Sequence, residues 1–183
     1  DIESLPFLEA IRQMRVEHGA SRTLFKHLTQ VPDLEITREV KTKPTQHTVK
    51  ELMGLGITPD ILVCRSSAPL NPETRAKLAA FCHVPEEAVI STHDVPNIYH
   101  VPLMLEAQGL CATLGLKVQP NGLLDDWRRM AHHLDALEEN VTIAMVGKYT
   151  GLSDAYLSVI KALQHAAMAA DRKLTIDWLE ASD

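Results

Sequence analysis

The sequence predicts an α/β protein with a mostly parallel sheet flanked by helices, and three observations carry that reading. Short apolar, β-branched runs stand at Asp60 to Cys64, Ala88 to Ser91 and Val141 to Val146. Segments with helical spacing of apolar residues lie between them. The joints carry cap and turn residues such as Gly19, Asn71-Pro72 and Gly109. Strands alternating with helices build βαβ units and hence parallel sheets. Ligands of such sheets bind where loops leave the carboxyl ends of strands. The stretches after Leu28, Cys64 and Ser91 are therefore the places to look for a site.

Taken in order, Leu5, Phe7, Leu8, Ile11 and Met14 recur at helical spacing, and Gly19 is the expected C-cap. Thr23 to Leu28 reads as a strand, and Val31 to Lys43, which has no period, as a loop. A helix follows from about Thr45 to Leu55, with Val49, Leu52 and Met53 on one face. Asp60 to Cys64 has the composition of a strand buried on both faces. At Asn71-Pro72-Glu73 asparagine caps, proline takes the first helical position and glutamate favours the positive end of the dipole. That helix runs to about Cys82, and Val101 to Gln108 forms another, closed by Gly109. The texture changes at Pro120 to Leu123. Asp125 to Leu137 is a polar amphipathic helix, and Val141 to Val146 a fresh buried strand. A helix from about Asp154 to Ala170, with Tyr156, Val159, Ile160 and Leu163 on its apolar face, leads to a last strand, Leu174 to Leu179. The expected division is a first domain at 1–116, a linker at 117–140 and the start of a second domain at 141–183.

Hydrophobic residues at 45% and charged residues at 23% over 183 residues place the chain among globular proteins. A formal net charge of −6 argues against a nucleic-acid-binding surface. The three cysteines, Cys64, Cys82 and Cys111, show no CxxC spacing, which fits buried thiols in a reducing compartment. The nine histidines are scattered, and His132 and His133 point about 100° apart on a helix, so no metal site is expected. No apolar run approaches the ~20 residues of a membrane span. The chain opens at Asp1-Ile2-Glu3 without a basic or apolar leader, so no signal peptide is expected, and both ends read as cut from a longer chain.

The densest candidate for chemistry is Lys41-Thr42-Lys43-Pro44-Thr45-Gln46. Two ammonium groups, two hydroxyls and an amide stand immediately before a helix, whose N-terminal N–H groups already attract anions. Point charges there suit a polyphosphate, and Pro44 should hold Lys43 extended. A capped helix after a basic loop is the plain alternative. No glycine-rich phosphate loop of the usual kind is present. In an extended segment Asp1 and Glu3 would share a face and suit a ribose diol or a cation. Lys77 is a lone helical lysine. Gly147 in Gly147-Lys148-Tyr149 permits a tight turn after a strand. Ser66-Ser67 lack the GxSxG turn and no cysteine has an activating context, so no nucleophilic triad is expected.

Together these pieces resemble one family. Asp1-Ile2-Glu3-Ser4, Lys41 to Gln46, Asp60 to Arg65, Phe81 to Val84, Val101-Pro102-Leu103 and Val146 to Tyr149 occur in this order in CTP synthases. His93-Asp94-Val95 and Ser153 to Tyr156 bring the resemblance nearer the eukaryotic type. It implies an amidoligase in which ATP phosphorylates the 4-oxygen of UTP and ammonia from glutamine displaces the phosphate to give CTP. This chain would be an internal piece: the C-terminal part of the amidoligase domain, the linker, and the opening of a class I glutaminase domain. The resemblance further implies that Asp1, Ile2, Glu3, Lys41, Thr42, Lys43, Pro44, Thr45, Gln46 and Lys77 contact UTP and the feedback inhibitor CTP. It places His93, Asp94 and Val95 beside the adenine of ATP, and the magnesium carboxylates and the glutaminase triad outside this chain. No catalytic residue or metal ligand is then expected here, and the chain alone should be silent. The implied protein is a cytoplasmic homo-oligomer, dimer or tetramer, acting on UTP, ATP and glutamine, with neither nucleic acid nor membrane as partner. Two departures stand out: Arg38 occupies a usual glycine position, and Gln108 to Leu116 is several residues short of the family's length. The alternative is a module that senses pyrimidine nucleotides or supports assembly without chemistry of its own.

Overall fold

The computed structural model describes residues 2–34, 39–116 and 122–181. The chain forms two compact units, Asp1–Asn121 and Gly122–Asp183.

In the first unit, helix α1 (Leu5–His18) ends where expected: Gly19 has φ +78° and its N–H donates to the Arg15 carbonyl at 2.9 Å. None of its side chains is buried, and Phe7 is 72% exposed. Strand β1 (Lys26–Gln30) starts later and runs further than its apolar pattern suggests. It continues because its backbone pairs in parallel with β4 (Ile61–Ser66) up to Gln30 opposite Arg65, and because the buried Thr29 hydroxyl finds a partner. The expected loop from Val31 to Lys43 contains a small antiparallel pair, β2 (Asp33–Leu34) and β3 (Glu39–Val40). Two-residue strands carry no periodicity, which is why the sequence hides them.

Helix α2 (Lys43–Gly54) leads into β4, and α3 (Pro72–Cys82) into β5 (Val89–His93). Asn71 caps α3 as its sequence predicts, its side-chain oxygen accepting from the Thr74 N–H at 2.7 Å. Helices α4 (Val101–Ala107) and α5 (Leu110–Thr113) follow, with Gly109 at φ +73° between them. The sheet runs in the order β1-β4-β5, all parallel. Ile61 to Cys64 and Val89 to Thr92 are buried, as strands covered on both faces require. Val49 of α2 and Leu78 and Cys82 of α3 complete the core, and Leu105, Leu110 and Leu114 pack against it.

The second unit holds α6 (Leu123–Asp135), β6 (Asn140–Gly147), α7 (Leu157–Ala169) and β7 (Lys173–Glu180). Helix α6, read from sequence as linker, is part of this unit. The expected helix start at Asp154 falls in a 3₁₀ turn, Ser153–Tyr156, and the α-helix begins only at Leu157. Strands β6 and β7 pair in parallel as a separate two-stranded sheet. The expectation that Val141 to Val146 is buried is corrected: residues along β6 alternate between half-buried and exposed, and Val146 is 69% exposed. Helix α7 packs against β7, and the Tyr156 and Trp178 rings lie 5.5 Å apart at 56°. One covered face of a two-stranded sheet produces alternation, however apolar the run.

Candidate functional site

The three parallel strands of the first unit end at Gln30, Ser66 and His93. A cleft of about 300 Å³ opens at these carboxyl ends, lined by Gln30, Val31, Pro32, Arg65, Ser66, Ser67 and Asp94. Its volume is at the lower end for a small-molecule site. The Arg65 guanidinium holds one wall together. It donates to the carbonyls of Ser66 at 2.9 Å and Thr92 at 3.4 Å, and pairs with the Asp94 carboxylate. Buried Ser66 donates to the Ala68 carbonyl at 2.8 Å, which shapes the exit from β4.

The lysine-rich run is anchored to the same end of the sheet. The Lys41 N–H donates to the carbonyl of Pro32, a cleft residue, at 2.9 Å. Thr45 is fully buried in the first turn of α2, with its hydroxyl 2.9 Å from that of Thr29 and 3.3 Å from the carbonyl of Gln30. Buried Thr42 stands at the cap position without capping through its side chain; instead its hydroxyl accepts from the Gln46 amide at 3.0 Å. Lys43 and Pro44 are exposed. The expected extended Lys43 is corrected, because Lys43 is the first residue of α2. The restriction that proline imposes on its predecessor yields here to a helix start with proline in the first turn.

The other candidates divide. Asp94 lines the cleft, while His93 ends β5 half-buried with its Nδ1 buried and unpartnered, and Val95 is half-buried. Asp1 lies outside the described residues, as do Arg38 and residues 117–121. Ile2–Ser4 forms a 3₁₀ turn rather than an extended segment, so the alternation offered for a shared carboxylate face does not hold; Glu3 is exposed. Lys77 is exposed on α3 and is not among the residues lining the cleft. Sequence reasoning missed Gln30 and Arg65 as lining residues, although both lie at the carboxyl ends of strands that the parallel-sheet rule had marked. Burial pushes the Cys64 thiol up to about 12 and the Cys82 thiol up to about 11, so neither supplies a thiolate near neutral pH.

In the second unit, Gly147 serves close approach rather than a turn. A Cβ there would meet the Tyr156 hydroxyl at 2.8 Å, and that hydroxyl donates to the Lys148 carbonyl. The left-handed residue of the loop is Tyr149, at φ +61°. The N–H groups of Tyr149 and Thr150, each 3.0 Å away, and the Thr150 hydroxyl all donate to the Glu180 carboxylate, which lowers its pKa, the hydroxyl most of all. No helix among the described residues is long and apolar enough to cross a membrane.

Fold and cleft together define an α/β protein with a ligand-sized cleft at the carboxyl ends of a parallel sheet. The sequence model of the family described as CTP synthase N-terminus matches residues 1–119. A CTP synthase of Thermococcus kodakarensis is 50% identical over 188 residues, covering 100% of this chain and 35% of the relative. One of Synechocystis is 50% identical over 186 residues, and one of Pyrococcus furiosus 51% over 186, covering 34% and 35% of those proteins. The chain belongs to the CTP synthase family. It spans about a third of the length of these curated relatives.

Proposed function

We propose that this chain is the nucleotide-pocket portion of a CTP synthase, a carbon–nitrogen ligase that aminates the uracil 4-position of UTP at the expense of ATP and glutamine. The observation that carries the reading is the seating of Lys41 to Gln46. Thr45 ties the run to Thr29 and Gln30 at the end of β1, and Lys41 is bonded to Pro32 at the cleft. Lys41 and Lys43 supply positive charge for a triphosphate beside the N-terminus of α2. Asp1, Ile2, Glu3, Thr42, Pro44, Thr45, Gln46 and Lys77 complete the UTP and CTP contacts, and His93, Asp94 and Val95 border the adenine of ATP. The cleft fits part of a nucleotide: Arg65 offers a planar cation and Asp94 an acceptor. It does not fit a magnesium ion, because among the described lining residues Asp94 is the one carboxylate and is paired with Arg65. Magnesium would take its ligands elsewhere in the longer protein, where it would neutralise phosphate charge.

The same reading assigns 1–116 to the C-terminal part of the amidoligase domain, 117–140 to a linker whose helix α6 falls in the second compact unit, and 141–183 to the start of a glutamine amidotransferase domain. It makes the longer protein a cytoplasmic, feedback-inhibited homo-oligomer. The test is the double variant Lys41→Ala, Lys43→Ala in the full-length enzyme. UTP binding and CTP inhibition should weaken together, by about 1.5–3 kcal/mol for each charged hydrogen bond lost, with glutamine hydrolysis largely intact. Unchanged UTP affinity and unchanged CTP inhibition would show that the run serves another purpose.

A further inference from the structure

We infer that Gln108 is a positioning residue for the cleft: its side-chain amide takes the place of a neighbouring strand at the outer edge of β5 and so holds Asp94 at the cleft wall. The inference rests on the reading of Asp94 as part of the ATP site.

Strand β5 pairs with β4 on one side and, among the described residues, ends the sheet on the other. Ser91 in its middle is 3% exposed, so its outward N–H and C=O need partners that water does not supply. Both find them in one side chain. The Ser91 N–H donates to Gln108 Oε1 at 2.8 Å, and Gln108 Nε2 donates to the Ser91 carbonyl at 2.7 Å. This is the double exchange that an antiparallel strand neighbour makes with one residue. The amide cannot be turned over without loss. Oε1 also receives Arg75 Nη2 at 3.3 Å, and Nε2 also donates to the Met104 carbonyl at 3.1 Å, so a flipped amide would set like against like.

The consequence reaches the cleft through Thr92. Its hydroxyl donates to the Cys64 carbonyl at 3.1 Å, and its carbonyl accepts from Arg65, which pairs with Asp94. The end of β5 is thus pinned from β4 on one side and from Gln108 on the other. Removing the amide leaves a buried N–H and C=O unpaired, and the strand end must move to satisfy them. Asp94, three residues on, moves with it.

The test is Gln108→Met in the full-length enzyme, which keeps the stem and removes both hydrogen bonds to Ser91. The Kd for ATP, measured by titration calorimetry, should rise about tenfold while that for UTP stays within about twofold. A purely stabilising role would not separate the two nucleotides. Asp94→Ala is measured alongside. If it binds ATP normally, the reading of the cleft fails; if it loses ATP affinity and Gln108→Met does not, the positioning role is overturned. Hydrogen exchange on the unmodified enzyme gives a check free of any folding defect. The Ser91 amide should exchange as slowly as the β5 amides paired with β4, and exchange at the rate of an open edge would overturn the proposal.

Discussion

The two parallel sheets of this chain carry similar sequence and opposite burial. Ile61-Leu62-Val63-Cys64 of β4 is buried throughout, whereas Val141 to Val146 of β6, apolar but for Thr142, alternates between half-buried and exposed. The first lies between two paired strands, with α2 and α3 packed against the core they share. The second pairs with β7, and α7 packs against that partner strand. An apolar run therefore reports how a strand can be covered, and its neighbours decide whether it is. The largest expected effect follows from this contrast. Leu62→Ala should cost about 2–5 kcal/mol in chemical denaturation, since it opens a cavity in a closed core. Val146→Ala should stay within about 0.5 kcal/mol. Equal costs would mean that the exposed face of β6 is covered in solution.

The same contrast extends to polar groups. In the first unit Thr45 is a polar group both buried and matched, its hydroxyl set against Thr29 and Gln30. Thr45→Val keeps shape and volume but strands these partners, at an expected cost of about 1–3 kcal/mol, while Thr45→Ser keeps the hydroxyl and should recover most of it. A harmless Thr45→Val would remove the link between the lysine-rich run and the end of β1.

What the sequence made legible followed from local chemistry. The Asn71 cap, the glycines at 19 and 109 and the parallel strand-helix order all act over a few residues, and each is found where its residue type demands. The strand-end rule pointed to the cleft before Gln30 or Arg65 had been singled out. What stayed hidden depends on partners distant in sequence. The β2-β3 pair is too short for periodicity, and β1 runs through polar Thr29 because of a hydroxyl at Thr45. The helical start at Lys43 and the 3₁₀ turn at Ile2–Ser4 overrode expectations drawn from single-residue preferences. No property of Gln108 in isolation announces that it completes the edge of a sheet 17 residues earlier.

The smallest expected effect belongs to the second unit, where the polar contacts are at the surface. Glu180 ends β7 and receives the Tyr149 and Thr150 N–H groups and the Thr150 hydroxyl, tying the loop after β6 to the neighbouring strand. These donors favour the charged carboxylate, so its pKa is lowered from the ordinary 4.5. A carboxyl with a lowered folded-state pKa adds stability that is present above the ordinary value and is lost as pH falls through the lowered one. Glu180→Gln should therefore melt slightly below the unmodified protein at neutral pH, and the difference should shrink as pH drops below 4.5. Because the group is open to solvent, the effect is screened, and added salt should reduce it further. Thermal melts of both proteins across that range, at low and high salt, decide the matter. A difference that persists unchanged once the pH lies below the lowered pKa, where both side chains are neutral, would mean that shape rather than charge holds the loop.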